Sequence, residues 1–464
     1  MQFDTDTVVV GAGISGLAVA HGLARRGRAV AVLEAAPQAG GVIATVRRDG
    51  ALYERGPNST LDTSPRIAEL LTELGIAGER ADAAESAAIR FIVRGGALHA
   101  LPTSPPAFLK TSAFSTGAKL RLLREPFIAP TPAGVEESIA AFVRRRLGRE
   151  FLDYAIDPFV AGIYAGDPER ISVPAAFPRL LALERKYGSL IRGQILGARE
   201  RKKNREVAKN AAKSFSFRNG MQTLTDALAA RLPHLQCGVR VERAARDREG
   251  AFVVSGVRGG DGVTVRARTL VVATPAPAAG TLVAGIAPDA ARALATIDYA
   301  PVAIVASAYR RADVAHALQG FGFLVPKVED RAILGTLFSS SMFEGRAPGD
   351  TVLLTTFAGG RRNPEVPRMT DEGLASAVHA ELADLVGARA APVWREIVRW
   401  PQAIPQYDLG HLERLRPVEA AEAANPGLWF CANWRGGVAV GDRIAKGDVL
   451  AGEIDTFLAR AASD

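Results

Sequence analysis

Residues Thr5 to Glu34 read TDTVVVGAGISGLAVAHGLARRGRAVAVLE, and the order of signals in this stretch decides the fold. Val8, Val9 and Val10 form the β-branched run expected of a buried parallel strand. Gly11, Gly13 and Gly16 then place GxGxxG where a strand turns into a helix. The first glycine permits the tight turn, the second lets backbone approach a pyrophosphate, and the third lets helix and strand pack closely. Ile14, Ser15 and Gly16 open the helix, whose free N–H groups and dipole suit an anion. Leu17, Val19, Ala20 and Leu23 continue at helical spacing. Gly27 ends the helix, Ala29 to Leu33 make a second strand, and Glu34 stands at its end, where a carboxylate can take both hydroxyls of an adenosine ribose. Strand, turn, helix, strand and acid in that order predict dinucleotide binding. The plainer alternative is a glycine-rich turn in an ordinary βαβ unit.

At 464 residues the chain is long enough for two or three domains. It is 48% apolar and 23% charged, the balance of a globular protein, and it holds no internal repeat or low-complexity tract. Cys237 and Cys431 lie far apart without a CxxC or metal pattern, which fits a reducing compartment. The six histidines show no ligand spacing, so no metal site is expected. MQFDTDT lacks the basic region of a signal peptide. No run of 18 apolar residues predicts a membrane-spanning helix. The net charge of +8 is local: ten basic residues against Glu200 and Glu206 lie between Arg185 and Lys213, and the rest is near neutral. That stretch lacks the interleaved aromatics of a single-strand binder, so no nucleic acid is expected and an anionic lipid or acidic ligand is favoured.

Beyond Glu34, the pair Gly40–Gly41 lays bare backbone just past the ribose-binding acid. Glu34 with this loop resembles the amine-oxidase-like family of FAD enzymes. Many members carry a basic residue directly after the pair where this chain has Val42, and Arg47 or Arg48 would supply the phosphate charge instead. The turn Gly56-Pro57-Asn58-Ser59 after ERG narrows the resemblance to the protoporphyrinogen oxidase branch. PFVAGIYAGDP (158–168), SVPAAFPRL (172–180), SFSFRNGMQTL (214–224), RWPQAIPQ (399–406) and GGVAVG (436–441) match it, as do GFGFL, LGTLFSSSMF and GRAP between 320 and 348. The resemblance runs from about residue 5 to residue 455.

It implies an α/β fold: a discontinuous Rossmann-type FAD-binding domain, a mixed-sheet substrate domain and an α-helical membrane-binding domain. Residues 1–88, 214–295 and 405–464 are expected to hold the FAD, 89–97 and 296–404 the substrate, and 98–213 the membrane. The FAD is non-covalent, and its expected contacts are Gly11, Gly13, Ile14, Ser15, Gly16, Glu34, Gly40, Gly41, Gly56, Pro57, Val241, Thr274, Trp400, Gly437 and Val438. Gly436–Gly437 before a helix directs N–H groups at the flavin, where negative charge develops on reduction. Cys431 and Ala432 replace the family's usual glycines, which would set the backbone slightly farther from the cofactor, and Asp442 is acidic near a phosphate.

The implied reaction removes two electrons and two protons from a porphyrinogen in each of three rounds, with oxygen as acceptor and hydrogen peroxide as product. No nucleophile–base pair, HExxH, GxSxG or P-loop competes with this reading. Such a substrate needs a cation for propionates and flat apolar walls. Arg90, Gly162 and Asn58 match the expected catalytic set. Arg90 would bind a propionate, the Gly162 carbonyl would face the pyrroles, and Leu324 and Phe343 would sandwich the ring. Read without the resemblance, these are a surface arginine, core residues and ordinary turn chemistry. Residues 100–145 interleave Phe108, Leu109, Phe114, Leu120, Leu122, Leu123 and Phe127 with Lys110, Lys119, Arg121 and Arg124. Their own chemistry favours a helical core, whereas the resemblance implies a membrane interface, with the 185–213 stretch facing anionic headgroups. Further expectations are a homodimer, hand-off to ferrochelatase, and a cytoplasmic place on the inner face of the cell membrane. The competing readings are a coproporphyrinogen III oxidase, an amine oxidase, and a non-catalytic binder on the same fold.

Overall fold

The computed structural model describes residues 4–102, 104–203 and 212–460. The β-branched run forms the strand Thr5–Val10, and the glycine turn leads into the helix Ile14–Ala24. Around that strand a seven-stranded sheet is laid down in the order Leu235–Cys237, Val30–Glu34, Thr5–Val10, Asp261–Val272, Phe252–Arg258, Arg240–Arg246, with Leu428–Phe430 also on Asp261–Val272. Its central pairings are parallel, Val8 opposite both Ala31 and Leu270, and its outer ladder of residues 240–267 is antiparallel. Alternation sends Val8, Val10 and Leu33 into one core and Val9 and Val32 into another, so the sheet is buried on both faces. Helices Ile14–Ala24 and Val440–Arg460 cover the second face. They cross closely because a Cβ on Gly22 would lie 2.7 Å from the Ala451 methyl and one on Gly447 2.6 Å from that of Ala18.

A second seven-stranded sheet runs Trp394–Pro405, Tyr299–Arg310, Thr351–Gly359, Ile333–Leu337, Gly322–Leu324, Arg90–Arg94, Ala97–Ala100. Its pairings are antiparallel except for Gly322–Leu324 beside Arg90–Arg94. Residues 90–100 and 299–405, distant in sequence, thus share one sheet.

Between them in sequence lies a helical region with its own core, which includes Phe114, Phe142, Phe151 and Tyr164. This region corrects the reading of 100–145 as one interfacial surface. Phe114 is buried and stacks on Phe151, with Phe108 packed against both and Leu122 against the same core. Leu109, Leu120, Leu123 and Phe127 remain exposed. Two of the four cations are also committed inward: Lys119 donates to the Leu109 and Thr111 carbonyls, and Arg121 to those of Arg145 and Arg146. Beneath them Arg146 and Glu125, both fully buried, form an ion pair, and Glu125 accepts the Leu190 and Ile191 N–H groups where the helix Leu190–Lys203 begins. Of the basic stretch 185–213, the side chains of 198–203 and all of 204–211 lie outside the described residues. Among the described residues no helix is long and apolar enough to cross a membrane.

Candidate active site

Two groups of residues build the site. The first surrounds the opening turn of the helix Ile14–Ala24. Gly11 takes φ +104°, and a Cβ there would sit 3.0 Å from the Ala273 carbonyl; one on Gly16 would lie 2.0 Å from the Gly11 oxygen. No side chain caps the helix at Gly13, so the N–H groups of Ile14, Ser15 and Gly16 keep their donors. Space in front of Gly13 is open, with nothing within 4 Å of a Cβ added there. The loop residue Gly40 donates to the Ala12 carbonyl at 2.8 Å. Gly41, at φ +61°, comes so close that a Cβ would stand 3.2 Å from the Gly13 Cα. Glu34 is held by the turn it serves: its Oε2 accepts the Ala12 N–H at 2.6 Å and its Oε1 the Ala36 N–H at 2.8 Å. Each oxygen keeps a lone pair for a hydroxyl.

Thr274 packs against Gly11, and its Oγ1 is buried without a hydrogen-bond partner. A bare-backbone turn, uncapped helix N–H groups, an anchored carboxylate and an orphaned hydroxyl together fit a dinucleotide pyrophosphate and ribose. Val241 packs against the same core as Val239, on the antiparallel ladder of the sheet. Arg47 and Arg48 do not join this group, contrary to expectation. Arg47 donates to Asn219, and Arg48 pairs with Glu396 and lies over the Trp394 ring.

The C-terminal glycine loop closes on the first group through residues that carry no motif of their own. Trp434 is fully buried and donates its indole N–H to the Thr274 carbonyl at 3.0 Å. Buried Arg443 donates to the carbonyls of Ala432 and Gly436, both at 2.7 Å. Tyr407 accepts the Gly437 N–H at 2.9 Å and donates to the Asn433 carbonyl at 2.7 Å. His411 stacks on it with ring centroids 4.4 Å apart and bonds the Trp434 carbonyl. Burial pushes Tyr407 up to about 12 and His411 down to about 4, so both are neutral near pH 7. Cys431 and Ala432 send their side chains into the two opposite cores of the sheet. Asp442 lies beneath Gly437, where a Cβ would meet its carboxylate at 2.7 Å. Val438 packs against the helical region.

The second group faces the other sheet. Gly162, on the helix Asp157–Tyr164, is exposed and lies against Leu324; a Cβ on it would be 3.2 Å from Leu324 Cδ2. Leu324 pairs with Ile92 while Gly322 pairs with Arg90, so the side chains of Arg90 and Leu324 leave the same face. Arg90 lies over the Phe321 ring, its Cζ 5.1 Å from the centroid. It is accessible to solvent, yet enough protein surrounds it that desolvation draws its pKa below the ordinary arginine value. Among the described residues no carboxylate pairs with it.

Phe343 packs in a cluster that does not include Leu324. It is buried with Ala87 and Met342, and Phe321 packs against that cluster and so links it to Arg90. Phe343 and Asn58 line a common cavity of about 10 Å³ with Glu54 and Arg346. Asn58 also bonds the Gly56 carbonyl at 3.1 Å, closing the GPNS turn on itself. Gly56 lies flat on the backbone just after the Gly40–Gly41 pair, since a Cβ would be 2.1 Å from the Val42 oxygen. Pro57 follows it, half-buried, and Trp400 donates to the Arg55 carbonyl at 2.6 Å.

Under this turn a buried ion pair ties the motifs together. Glu54 accepts from Arg346 at 3.1 Å, from Thr45 Oγ1 at 2.7 Å and from the Met221 N–H at 2.9 Å. Arg346 also donates to Ser216 at 2.6 Å. Burial raises the Glu54 pKa and lowers that of Arg346, each opposed by the other's charge. Glu54 and Arg346 stand inside ERGPNS and GRAP, where sequence reading saw the motifs without their pairing. Trp434, Tyr407 and Arg443 carried no signal short of the fold.

Residues 14–446 match the flavin containing amine oxidoreductase family. The chain is 33% identical to protoporphyrinogen oxidase 2, chloroplastic/mitochondrial, of Arabidopsis thaliana, over 98% of this chain and 95% of that one. It is 26% identical to coproporphyrinogen III oxidase of Bacillus subtilis (strain 168), over 97% and 98%. A solved structure from Exiguobacterium sp. 255-15 superposes with TM-score 0.80 at 24% identity, covering 98% of this chain and all of its own, and shares the mixed α/β fold.

Proposed function

We propose that this chain, which belongs to the flavin containing amine oxidoreductase family, oxidises protoporphyrinogen IX to protoporphyrin IX with a non-covalently bound FAD. The observation that carries the choice of substrate is Arg90: an accessible guanidinium without a carboxylate partner among the described residues, sharing a face with apolar Leu324. One cation beside an apolar wall suits a flat macrocycle whose two propionates lie on one edge. A tetracarboxylate asks for more. The similarity to a protoporphyrinogen oxidase across 98% of the chain supports the same choice.

When bound, the flavin supplies the acceptor for two electrons per round, and oxygen is the reading's final acceptor. The chain's own residues orient and shield. Ile14, Ser15 and Gly16 direct N–H groups at the pyrophosphate, while Glu34 takes the ribose and Gly41, close against Gly13, lays bare backbone beside it. Arg90 fixes one edge of the macrocycle by its propionates. The Gly162 backbone, bare and exposed, lets a pyrrole approach, and its carbonyl stabilises positive charge developing there. Leu324 forms the adjoining wall and holds water off.

The same reading places the chain on the cytoplasmic face of a membrane. Leu109, Leu123, Phe127 and Ile195 are 70%, 69%, 82% and 67% exposed, beside exposed Lys110, Arg124 and Arg192, a composition suited to an anionic interface.

The test is anaerobic stopped-flow absorbance of the holoprotein mixed with protoporphyrinogen IX and, separately, coproporphyrinogen III. Fast bleaching of the flavin by the first with slow bleaching by the second is expected. The reverse order reassigns the chain to the tetracarboxylate, and no bleaching by either refutes the reading.

A further inference from the structure

We propose that Asp157 and Arg362 are positioning residues for the wall made by Gly162 and Leu324, an inference that rests on the porphyrinogen reading above. The helix Asp157–Tyr164 that carries Gly162 is about 12 Å long at 1.5 Å per residue, and it is held at both ends by one short segment. At its start the Asp157 carboxylate meets the Arg362 guanidinium at 2.6 Å and accepts the Lys327 N–H at 2.7 Å. At its end the Ala165 carbonyl accepts the Arg361 N–H at 2.7 Å, and Gly360, at φ +73°, lies so close that a Cβ would be 2.6 Å from the same oxygen. The turn at 360–362, just beyond the strand Thr351–Gly359, thus grips the whole helix.

The same guanidinium reaches the segment that carries Leu324. Arg362 donates to the Val325 carbonyl at 2.8 Å and to the Asp157 carbonyl at 3.0 Å. Val325 is the neighbour of Leu324, and Lys327 lies just beyond. One planar fork therefore fixes the helix bearing Gly162 against the strand bearing Leu324, which sets their separation. The helix needs such a pin. It is entered through a single π-turn, Leu152–Ile156, and left through Ala165 in the left-handed region at φ +46°, two irregularities that leave its register weakly set by local structure.

Stability alone is a poor reason for this pair. Its side chains are 5% and 6% exposed, and both Asp157 Oδ1 and Arg362 Nε are buried without a partner. Apolar replacement of such a pair is often neutral or stabilising, whereas removal of one partner strands a buried charge. What the pair gives that leucine and methionine would not is a directional bond to the Val325 carbonyl.

The experiment compares the holoprotein with the double variant Asp157→Leu/Arg362→Met and with Arg362→Lys, which keeps the charge and loses the fork. In the double variant, hydrogen exchange of the 157–164 amides is expected to quicken at least tenfold. The KM for protoporphyrinogen IX is expected to rise at least tenfold, with the flavin spectrum and FAD content unchanged. Arg362→Lys should fall between wild type and the double variant on both measures, and it carries the test alone if the double variant loses FAD. Faster exchange at unchanged KM overturns the proposal, because the helix would then be pinned for reasons unrelated to substrate; unchanged exchange overturns it as well. If wild type bleaches with neither porphyrinogen, the functional reading fails, while the exchange comparison still decides whether the pair pins the helix.

Discussion

Replacing Gly162 with alanine separates stability from activity. In the helix Asp157–Tyr164 a glycine costs roughly 0.5–1 kcal/mol relative to alanine, so the helix itself gains from the change. The added methyl would stand 3.2 Å from Leu324 Cδ2 and 3.7 Å from Cδ1, against an ordinary carbon–carbon contact of about 3.5–4.0 Å. Leu324 is half-buried and can retreat by the few tenths of an ångström required, at a cost near the low end of overpacking, about 1 kcal/mol. The two effects nearly cancel, and the melting temperature of Gly162→Ala should lie within a few degrees of wild type. Activity should not survive as well. The methyl thickens a wall that the flat substrate must touch, and a misplacement of about 1 Å at a reacting centre costs about 100-fold. The assay is a thermal melt and FAD titration beside anaerobic stopped-flow bleaching by protoporphyrinogen IX. A drop in kcat/KM of about 100-fold at unchanged stability and FAD content is expected. A variant that keeps kcat/KM within twofold of wild type refutes the assignment of this helix face to the substrate.

Arg90→Met removes a charge-assisted contact worth about 1.5–3 kcal/mol, so KM for protoporphyrinogen IX should rise by about 10- to 100-fold with little change in kcat; Arg90→Lys should recover only part, having lost the fork. His411 gives a pH dependence of defined sign. Its folded pKa of about 4 lies below the unfolded value, so the unfolded chain takes up a proton that the native state excludes. Its contribution is complete above about pH 6.5 and declines as pH falls towards 4, by up to about 3 kcal/mol. Thermal melts from pH 7 to 4 should show that loss, and His411→Phe, which keeps the stack on Tyr407, should flatten it. Leu123→Ser/Phe127→Ser should lower co-sedimentation with anionic phosphatidylglycerol vesicles at least fivefold while leaving flavin bleaching by soluble porphyrinogen unchanged; undiminished sedimentation would sink the membrane assignment of this surface.

Signals that depend on spacing within a few residues were legible. GxGxxG, Glu34 and the Gly40–Gly41 loop meet in the structure because a parallel βαβ unit has little freedom once its strands are placed. Motif order also brought Arg90, Leu324 and Gly162 together, although more than two hundred residues separate the first two. Less accessible was which way a side chain turns in irregular structure. Within 100–127 no strict period exists, so Phe114 and Phe127 read alike, yet one is 5% exposed and the other 82%. Long cations were misread for a related reason: Lys119, Arg121, Arg47 and Arg48 reach partners set by the tertiary fold, and composition records only their charge. The buried pairs Glu54–Arg346 and Asp157–Arg362 join positions remote in the chain, so neither could be seen before the sheets were assembled.

The contact between Ile14–Ala24 and Val440–Arg460 has a consequence for how the protein is made. The helix Ile14–Ala24 waits for a packing partner that begins more than four hundred residues later in the chain, and the strand Thr5–Val10 finds Leu270–Val272 only after about 260 further residues have appeared. Such long-range pairing carries a large loop-closure entropy and folds slowly. The cofactor cradle therefore cannot close until residues 434–443 have been made, and Gly22 and Ala18 stay uncovered until the helix Val440–Arg460 arrives. A chain stopped short at residue 430 would retain every residue of GxGxxG and still lack Trp434, Gly437 and Arg443. Ability to hold flavin thus depends on residues made late relative to the glycine turn, and products truncated before them should be recognised by chaperones and proteases through that uncovered helix.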